Sequence, residues 1–370
     1  MKNVMGIIND VQEENILKSI TAHRSLASVP FGCRYRLIDF PLSNMANSGI
    51  INVGILLENK FRSLFDHIGP GKVWNLDRKR EGLFILPPAQ IYGKNRIYKG
   101  DIESLYHNLD YLHRSRQDYV IISSSNIICN MNYNKAIKFH QDKKADITVI
   151  YQQLPHIEKR VKYTCLTTDS RDKVLKMRVK PYRKKYNKVA LEKFIIKKEL
   201  LIDIIDDCYS SGRWDLLKDG IIGNIDNLKI YGYPYQGYME HINTVENYFK
   251  SSLKLLRADI RKDIFSKNLI YTKPKDEAPT KFSSSGYARN IMAANGCIIE
   301  GAVENSILFR GVRIKEGAQV KNCIIMQKST IDRNARLEHV IMDKNSRVRE
   351  SQVFTGSERF PVIIEKNAVV

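Results

Sequence analysis

From the N-terminus to about residue 235, short runs rich in Val and Ile alternate with longer stretches whose apolar residues fall at helical spacing. Val4 to Ile8, Val53 to Leu57, Tyr119 to Ile122 and Ile147 to Tyr151 have the length and composition of strands. Ile102 to Arg114, Asn132 to Lys143 and Thr244 to Leu256 carry the spacing of amphipathic helices. Alternation of this kind predicts an α/β domain, a mostly parallel sheet covered by helices. In open sheets of this type ligands bind beyond the carboxyl ends of the strands, so chemistry is to be sought there.

The pattern then changes. Lys273 to Gly286 holds two prolines, three consecutive serines and a glycine, the composition of an irregular connection. Beyond it an aliphatic or Met residue recurs every five or six positions, at Ile298, Val303, Leu308, Ile314, Val320, Ile325, Ile331, Leu337, Met342, Val348 and Val353. A small residue such as Gly296, Ser306, Cys323, Ser329, Ala335 or Ser346 precedes most of these by two. Ile314, Ile331 and Val348 lie 17 residues apart, as do Val320 and Leu337. A chain that turns a corner every five or six residues and sends one aliphatic side chain inward per face builds a triangular parallel β-helix. We place an α/β domain at 1–257, a linker at 258–290 and the β-helix at 291–370. Coils of this kind bury little at their ends and dock on neighbours, so subunit association is expected.

Length and composition fit this division: 370 residues suffice for two domains with their own cores. Six cysteines are scattered without a C-x-x-C pair, which points to small buried hydrophobes rather than a zinc cage or disulfide framework. No apolar run is long enough to span a bilayer, and the acidic Gln12-Glu13-Glu14 stretch interrupts any leader-like run, so the expected location is the cytoplasm. The balance of 60 Lys and Arg against 40 Asp and Glu, a net +20, favours anionic partners. The densest basic stretch, Arg178 to Lys198, includes Lys193 and reads as a solvated face, since few aromatic platforms, Tyr182 and Tyr186 among them, interleave it.

The segment from Val29 to Asn44, VPFGCRYRLIDFPLSN, followed by Asn47-Ser-Gly-Ile50, closely resembles the signature of the glucose-1-phosphate adenylyltransferases. Leu86-Pro-Pro-Ala-Gln90, Tyr98-Lys-Gly100, Asn108-Leu-Asp110, Lys180-Pro181 and Lys218-Asp219 extend the resemblance over nearly the whole chain. It implies a nucleotidyltransferase, Rossmann-like sheet followed by a left-handed parallel β-helix. The family's reaction joins glucose 1-phosphate to the α-phosphate of ATP. That requires backbone N–H groups around the phosphates, cationic side chains and Mg²⁺ held by carboxylates.

Against that pattern the chain departs where the nucleotide and metal belong. The glycine-rich phosphate loop is replaced by Ile8-Asn-Asp-Val-Gln-Glu-Glu-Asn15, which has no glycine and three carboxylates. A family lysine falls at Leu26, and the two metal-binding aspartates fall at Asn126 and His241. Asn and His are poorer donors than carboxylate for a hard cation; Asp10, Glu13 and Glu240 are candidates to supply a stray carboxylate. Of the family's sugar-phosphate residues, the resemblance retains Tyr98 and Lys180, whereas Thr164, Val179 and Ala190 replace a glycine, a glutamate and a serine. Arg34 takes the place of a lysine associated with activator phosphates, with Arg36 two residues on, and the pair forms a candidate regulatory anion site.

An intact fold with these losses resembles the GlgD-type, non-catalytic subunits of the family. The resemblance implies no metal or cofactor for this chain, Mg²⁺ belonging to the catalytic relatives. It also implies a role in glycogen biosynthesis beside a catalytic GlgC-type partner, in a heterotetramer tuned by a phosphorylated metabolite, with neither nucleic acid nor membrane as partner. Two other readings remain open: a weak adenylyltransferase making ADP-glucose, and a basic nucleic-acid scaffold.

Overall fold

The structure is a computed structural model that describes residues 3–11, 17–57, 60–87, 99–155, 163–179 and 186–370. The chain divides into two compact units, one of residues 1–13, 40–239 and 268–271, the other of residues 14–39, 240–267 and 272–370.

The first unit is built on a nine-stranded mixed sheet. Its strands are β1 (Val4–Asn9), β2 (Asn52–Leu56), β3 (Gly82–Leu86), β4 (Tyr119–Ser124), β5 (Ile147–Gln153), β6 (Thr164–Thr168), β7 (Val174–Val179), β8 (Lys188–Lys197) and β9 (Ile230–Pro234). The order is β7-β6-β8-β4-β1-β2-β3, with β5 pairing both β8 and β9. β1 lies parallel to β2 and β4, and β2 parallel to β3, with Gly6 opposite Val53 and Ile121. β8 runs antiparallel to β4, β5 and β6. The central strands are buried on both faces, which is why β1 reads as a continuous apolar run. At Gly6 an added Cβ would stand 2.4 Å from Met45 Sδ, so a larger residue there would require the Met45 side chain to move aside.

Helices cover this sheet by the faces their spacing predicts. In Lys198–Ser210 the buried residues are Leu201, Ile204, Ile205 and Cys208, one stripe that joins the main core. Burying such a side chain stabilises by about 1.5–3 kcal/mol. The segment Ile102 to Arg114, expected as one helix, is two: Asp101–His107 and Leu109–Arg114. Asn108 separates them, its amide donating to Ser104 O at 2.8 Å and Pro87 O at 2.9 Å in place of continued helical pairing.

In the second unit three five-stranded parallel sheets form the faces of a prism. Residues 17 apart stack in register, Ile314 on Ile331 and Ile331 on Val348, as do Val303 on Val320 and Val320 on Leu337. Nine of the eleven predicted inward positions lie in its buried aliphatic core. Two do not. Ile299 rather than Ile298 is the core residue of its strand, because Ile299 sits opposite Ile314 while Ile298 faces Arg313. Val353 is 62% exposed, and Phe354, opposite Leu337, takes the inward place. Side-chain period 2 makes a one-residue error in register an error of face. Helices Val245–Lys254 and Ala258–Phe265 belong to this unit, the first capped by Thr244 Oγ1, which accepts the Asn247 N–H at 3.0 Å.

All six cysteines are buried and unpaired in disulfides, as their scatter predicted, and burial raises their thiol pKa values; that of Cys323 is pushed up to about 12. Among the described residues no helix is long and apolar enough to cross a membrane.

Candidate functional site

At the carboxyl ends of β1 and β4 the chain closes on itself. Asp10, just past β1 and 5% exposed, accepts a hydrogen bond from Ser125 Oγ at 2.8 Å, and the Asp10 N–H donates to Leu56 O at 3.0 Å. Asn126 is buried, and its Oδ1 accepts the hydroxyl of Ser124. Asn9 Oδ1 accepts the Val11 N–H at 2.9 Å, while Asn9 Nδ2 donates to Asp101 Oδ2 at 3.0 Å. Asp101 Oδ1 in turn accepts the Leu216 N–H at 2.8 Å. Burial, with the charge of Asp215 behind it, pushes the Asp101 carboxyl up to about 6 against the pull of these donors. Gly100 next to it allows the chain to pass Trp214, whose carbonyl oxygen would be 2.1 Å from an added Cβ.

The family implies Mg²⁺ in this region, and the residues present do not fit it. A hard dication needs several oxygen donors, carboxylates foremost. Here the carboxamide standing for one aspartate is held by Ser124 and the Asp10 carboxylate by Ser125, while Glu13 lies outside the described residues. Among the described residues no group of three or more His, Cys, Asp or Glu could hold a metal. In the second unit, His241 is 5% exposed, and neighbouring Glu240 is committed to Ser251 Oγ at 2.9 Å and Lys254 Nζ at 2.6 Å. Leu26 is buried in the short turn Leu26–Ser28, so no cation stands at that position.

Of the sugar-phosphate residues, Tyr98 and Lys180 lie outside the described residues. Thr164 begins β6, Val179 ends β7, and Ala190 lies buried in β8. The same strand corrects the reading of Lys193 as part of a solvated face: it is fully buried, and its Nζ donates to Ser123 Oγ at 2.7 Å. The cause is local. The pairing of β8 with β5 shifts register between Ala190 and Phe194, and Glu192 takes the left-handed backbone at φ 48°, so Lys193 turns inward opposite Ser123. Burial lowers the pKa of its amine.

Arg34 and Arg36 flank Tyr35 on a two-stranded hairpin, Pro30–Phe31 with Tyr35–Arg36, in the second unit. Arg34 is exposed, with Cζ 5.4 Å from the Tyr35 ring centroid. Six further cations share their field. Burial lowers the pKa of Lys275, and Arg310, Lys328 and Arg36 add to the effect. Burial likewise lowers that of Arg310, with the Glu277 carboxylate opposing it and Arg34 adding to it; Glu277 also opposes the shift of Lys275. The Lys344 amine is pulled down to about 7, first by burial, then by Arg36 and Arg24, with Lys366 adding to them and Asp343 opposing. Sequence reasoning did not single out these residues: the Lys328 N–H donates to Arg310 O at 3.0 Å, so these two basic residues stack on adjacent rungs although they stand 18 positions apart, one off the 17-residue phase. Cations held this close repel one another and favour a dianion among them.

A mixed sheet with its ligand-facing strand ends, followed in the chain by a three-sided coil, defines a nucleotidyltransferase-type chain with hexapeptide repeats. The nucleotidyl transferase family matches residues 16–222, and the GlmU-like C-terminal hexapeptide family matches residues 278–358, which identifies the coil as a left-handed β-helix. The chain is 34% identical over 367 residues to the glycogen biosynthesis protein GlgD of Bacillus subtilis, covering 99% of this chain and 96% of that protein. It is 36% identical over 318 residues to GlgD of Geobacillus stearothermophilus, 86% and 82% of the two chains. It is 33% identical over 355 residues to the glucose-1-phosphate adenylyltransferase of Fervidobacterium nodosum, 95% and 85% of the two. The chain belongs to this family of GlgD proteins and glucose-1-phosphate adenylyltransferases.

Proposed function

We propose that the chain acts in glycogen biosynthesis as a regulatory and structural subunit without adenylyl transfer of its own, associated with a catalytic relative in a cytoplasmic hetero-oligomer. One observation carries this reading: at the strand ends where family chemistry belongs, Asp10 and Asn126 are engaged by serines of the same chain and no described carboxylate set fits a metal. Metal stabilisation of the transition state is worth several kcal/mol, and each 1.4 kcal/mol is about tenfold in rate. Losing the ion, the glycine loop and the lysine at position 26 together leaves too little stabilisation for useful turnover.

The basic cluster of Arg34, Arg36 and the prism corner supplies the regulatory half of the proposal, a site for a phosphorylated metabolite. A ligand there tunes a partner only if its affinity differs between the partner's two states. The test is to purify this chain and a catalytic relative from the same organism, and to compare each alone with the mixture. Stoichiometric co-elution, with a changed kcat or effector dependence in the mixture, is expected. Separate elution with unchanged kinetics would overturn the reading.

A further inference from the structure

A half-open groove of about 750 Å³ lies in the first unit along edge strand β3, and none of its lining residues belongs to the hydrogen-bonded cluster at Asp10. Its apolar surface is aromatic: Phe84 is 41% exposed, and its ring centroid is 5.3 Å from that of Tyr111 at an angle of 50°. Tyr111 is held from behind. Its hydroxyl donates to Asn52 Oδ1 at 3.0 Å, and Asn52 Nδ2 donates to Gln117 Oε1 at 3.0 Å and Ser115 Oγ at 3.2 Å. Gln117 Nε2 completes the network by donating to Glu81 Oε1 at 2.7 Å. Asn52 and Gln117 are 4% and 1% exposed, so the wall is fixed. At the rim, arginines including Arg114 stand beside the carboxylates of Glu81 and Asp110, with Arg114 Nη2 3.4 Å from Asp110 Oδ2.

The chemistry narrows the ligand. Two carboxylates among three arginines leave the rim little net charge with which to select a phosphate dianion, and the polar rim would be left unpaired by an apolar segment. A sugar meets both halves: its ring presents a flat C–H face to an aromatic surface, and each hydroxyl both donates and accepts. Planar carboxylate, amide and guanidinium groups match pairs of neighbouring hydroxyls by their two-point geometry. A groove open along one side accepts an internal stretch of polymer as readily as a chain end. We propose that this groove binds a neutral oligosaccharide, an α-linked glucan, the polymer class following from the glycogen reading above.

The test is titration of the full chain with maltoheptaose, followed by calorimetry, with inorganic phosphate as competitor. Saturable binding is expected, unaffected by phosphate, weakened about tenfold or more in Phe84→Ala by loss of the aromatic contact and retained in Phe84→Tyr. Phe84 is exposed, so its removal should leave the fold and the thermal transition intact. No binding to the unmodified chain, equal binding by Phe84→Ala, or displacement by phosphate would each overturn the proposal. Co-elution of Phe84→Ala with the catalytic relative is measured in parallel. Glucan binding lost while co-elution persists isolates the groove, and co-elution that fails while glucan binding persists counts only against the partner reading.

Discussion

Arg24 and Asp343, 319 positions apart, form a buried ion pair inside the second unit, at 2% and 4% exposure. Arg24 Nη2 lies 2.7 Å from both carboxylate oxygens, Nη1 lies 3.7 Å from Met326 Sδ, and the Lys344 N–H donates to Asp343 Oδ1 at 2.6 Å. Arg24→Ala removes the cation and leaves the carboxylate in the interior with that single backbone donor. The expected loss is about 3–5 kcal/mol, the cost of stranding one member of a buried pair. Replacing both with apolar residues of similar size, Arg24→Met with Asp343→Leu, removes both desolvation costs and should be nearly neutral. Urea unfolding followed by circular dichroism and by hydrogen exchange of the prism amides measures this. With a slope of about 2–3 kcal/mol per molar, the single variant should lower the midpoint of that unit by about 1–2 M. Both tryptophans, Trp74 and Trp214, lie in the first unit, so their fluorescence serves as an internal reference. A single variant within about 0.5 kcal/mol of the unmodified chain, the range of ordinary surface changes, would refute the argument. So would a double variant as unstable as the single one.

Three further outcomes follow. Lys344, pulled down to about 7, is charged below that pH, and a bound dianion favours the charged form; sulfate affinity should therefore fall from pH 6 to pH 8.5, and Lys344→Ala should flatten the profile in calorimetry. A profile unchanged by Lys344→Ala would remove this lysine from the proposed anion site. Asp101, raised to about 6 from an ordinary value near 3.8, binds its proton more tightly folded than unfolded, so its contribution to stability is present below pH 4 and lost as pH rises through 6. Unfolding free energies of the chain and of Asp101→Asn should accordingly change relative to each other between pH 4 and 6 and run parallel above pH 7. Asn126→Asp alone should produce no magnesium-dependent ADP-glucose synthesis, since the remaining donors and the phosphate loop are still missing; turnover in that variant would show that one carboxylate suffices.

The features legible in the sequence are those fixed by local period. The strand runs and the 17-residue phase of the coil depend on residues close in sequence, and β1, β2, β4 and β5 lie where their composition puts them. Ile298 and Val353 were misplaced because register depends on which of two adjacent residues meets the neighbouring rung. Lys193 was misread because a register shift in β8, invisible in composition, turns a charged residue inward. The losses at Asn126 and His241 were legible as residue types. That Asn126 and Asp10 are closed by Ser124 and Ser125 was not, since Asp10 and Ser125 stand 115 positions apart. Arg34 and Arg36 are candidates by motif, whereas Lys275, Arg310 and Lys344 share their field only through folding that brings in residues more than 230 positions away.

The central claim is that the fold persists without the chemistry, and steady-state synthesis of ADP-glucose from ATP, glucose 1-phosphate and Mg²⁺ by the purified chain alone tests it most directly. The account predicts no product above a protein-free control at concentrations where a catalytic relative turns over readily. Magnesium-dependent turnover that scales with protein and disappears in Lys180→Ala would contradict it.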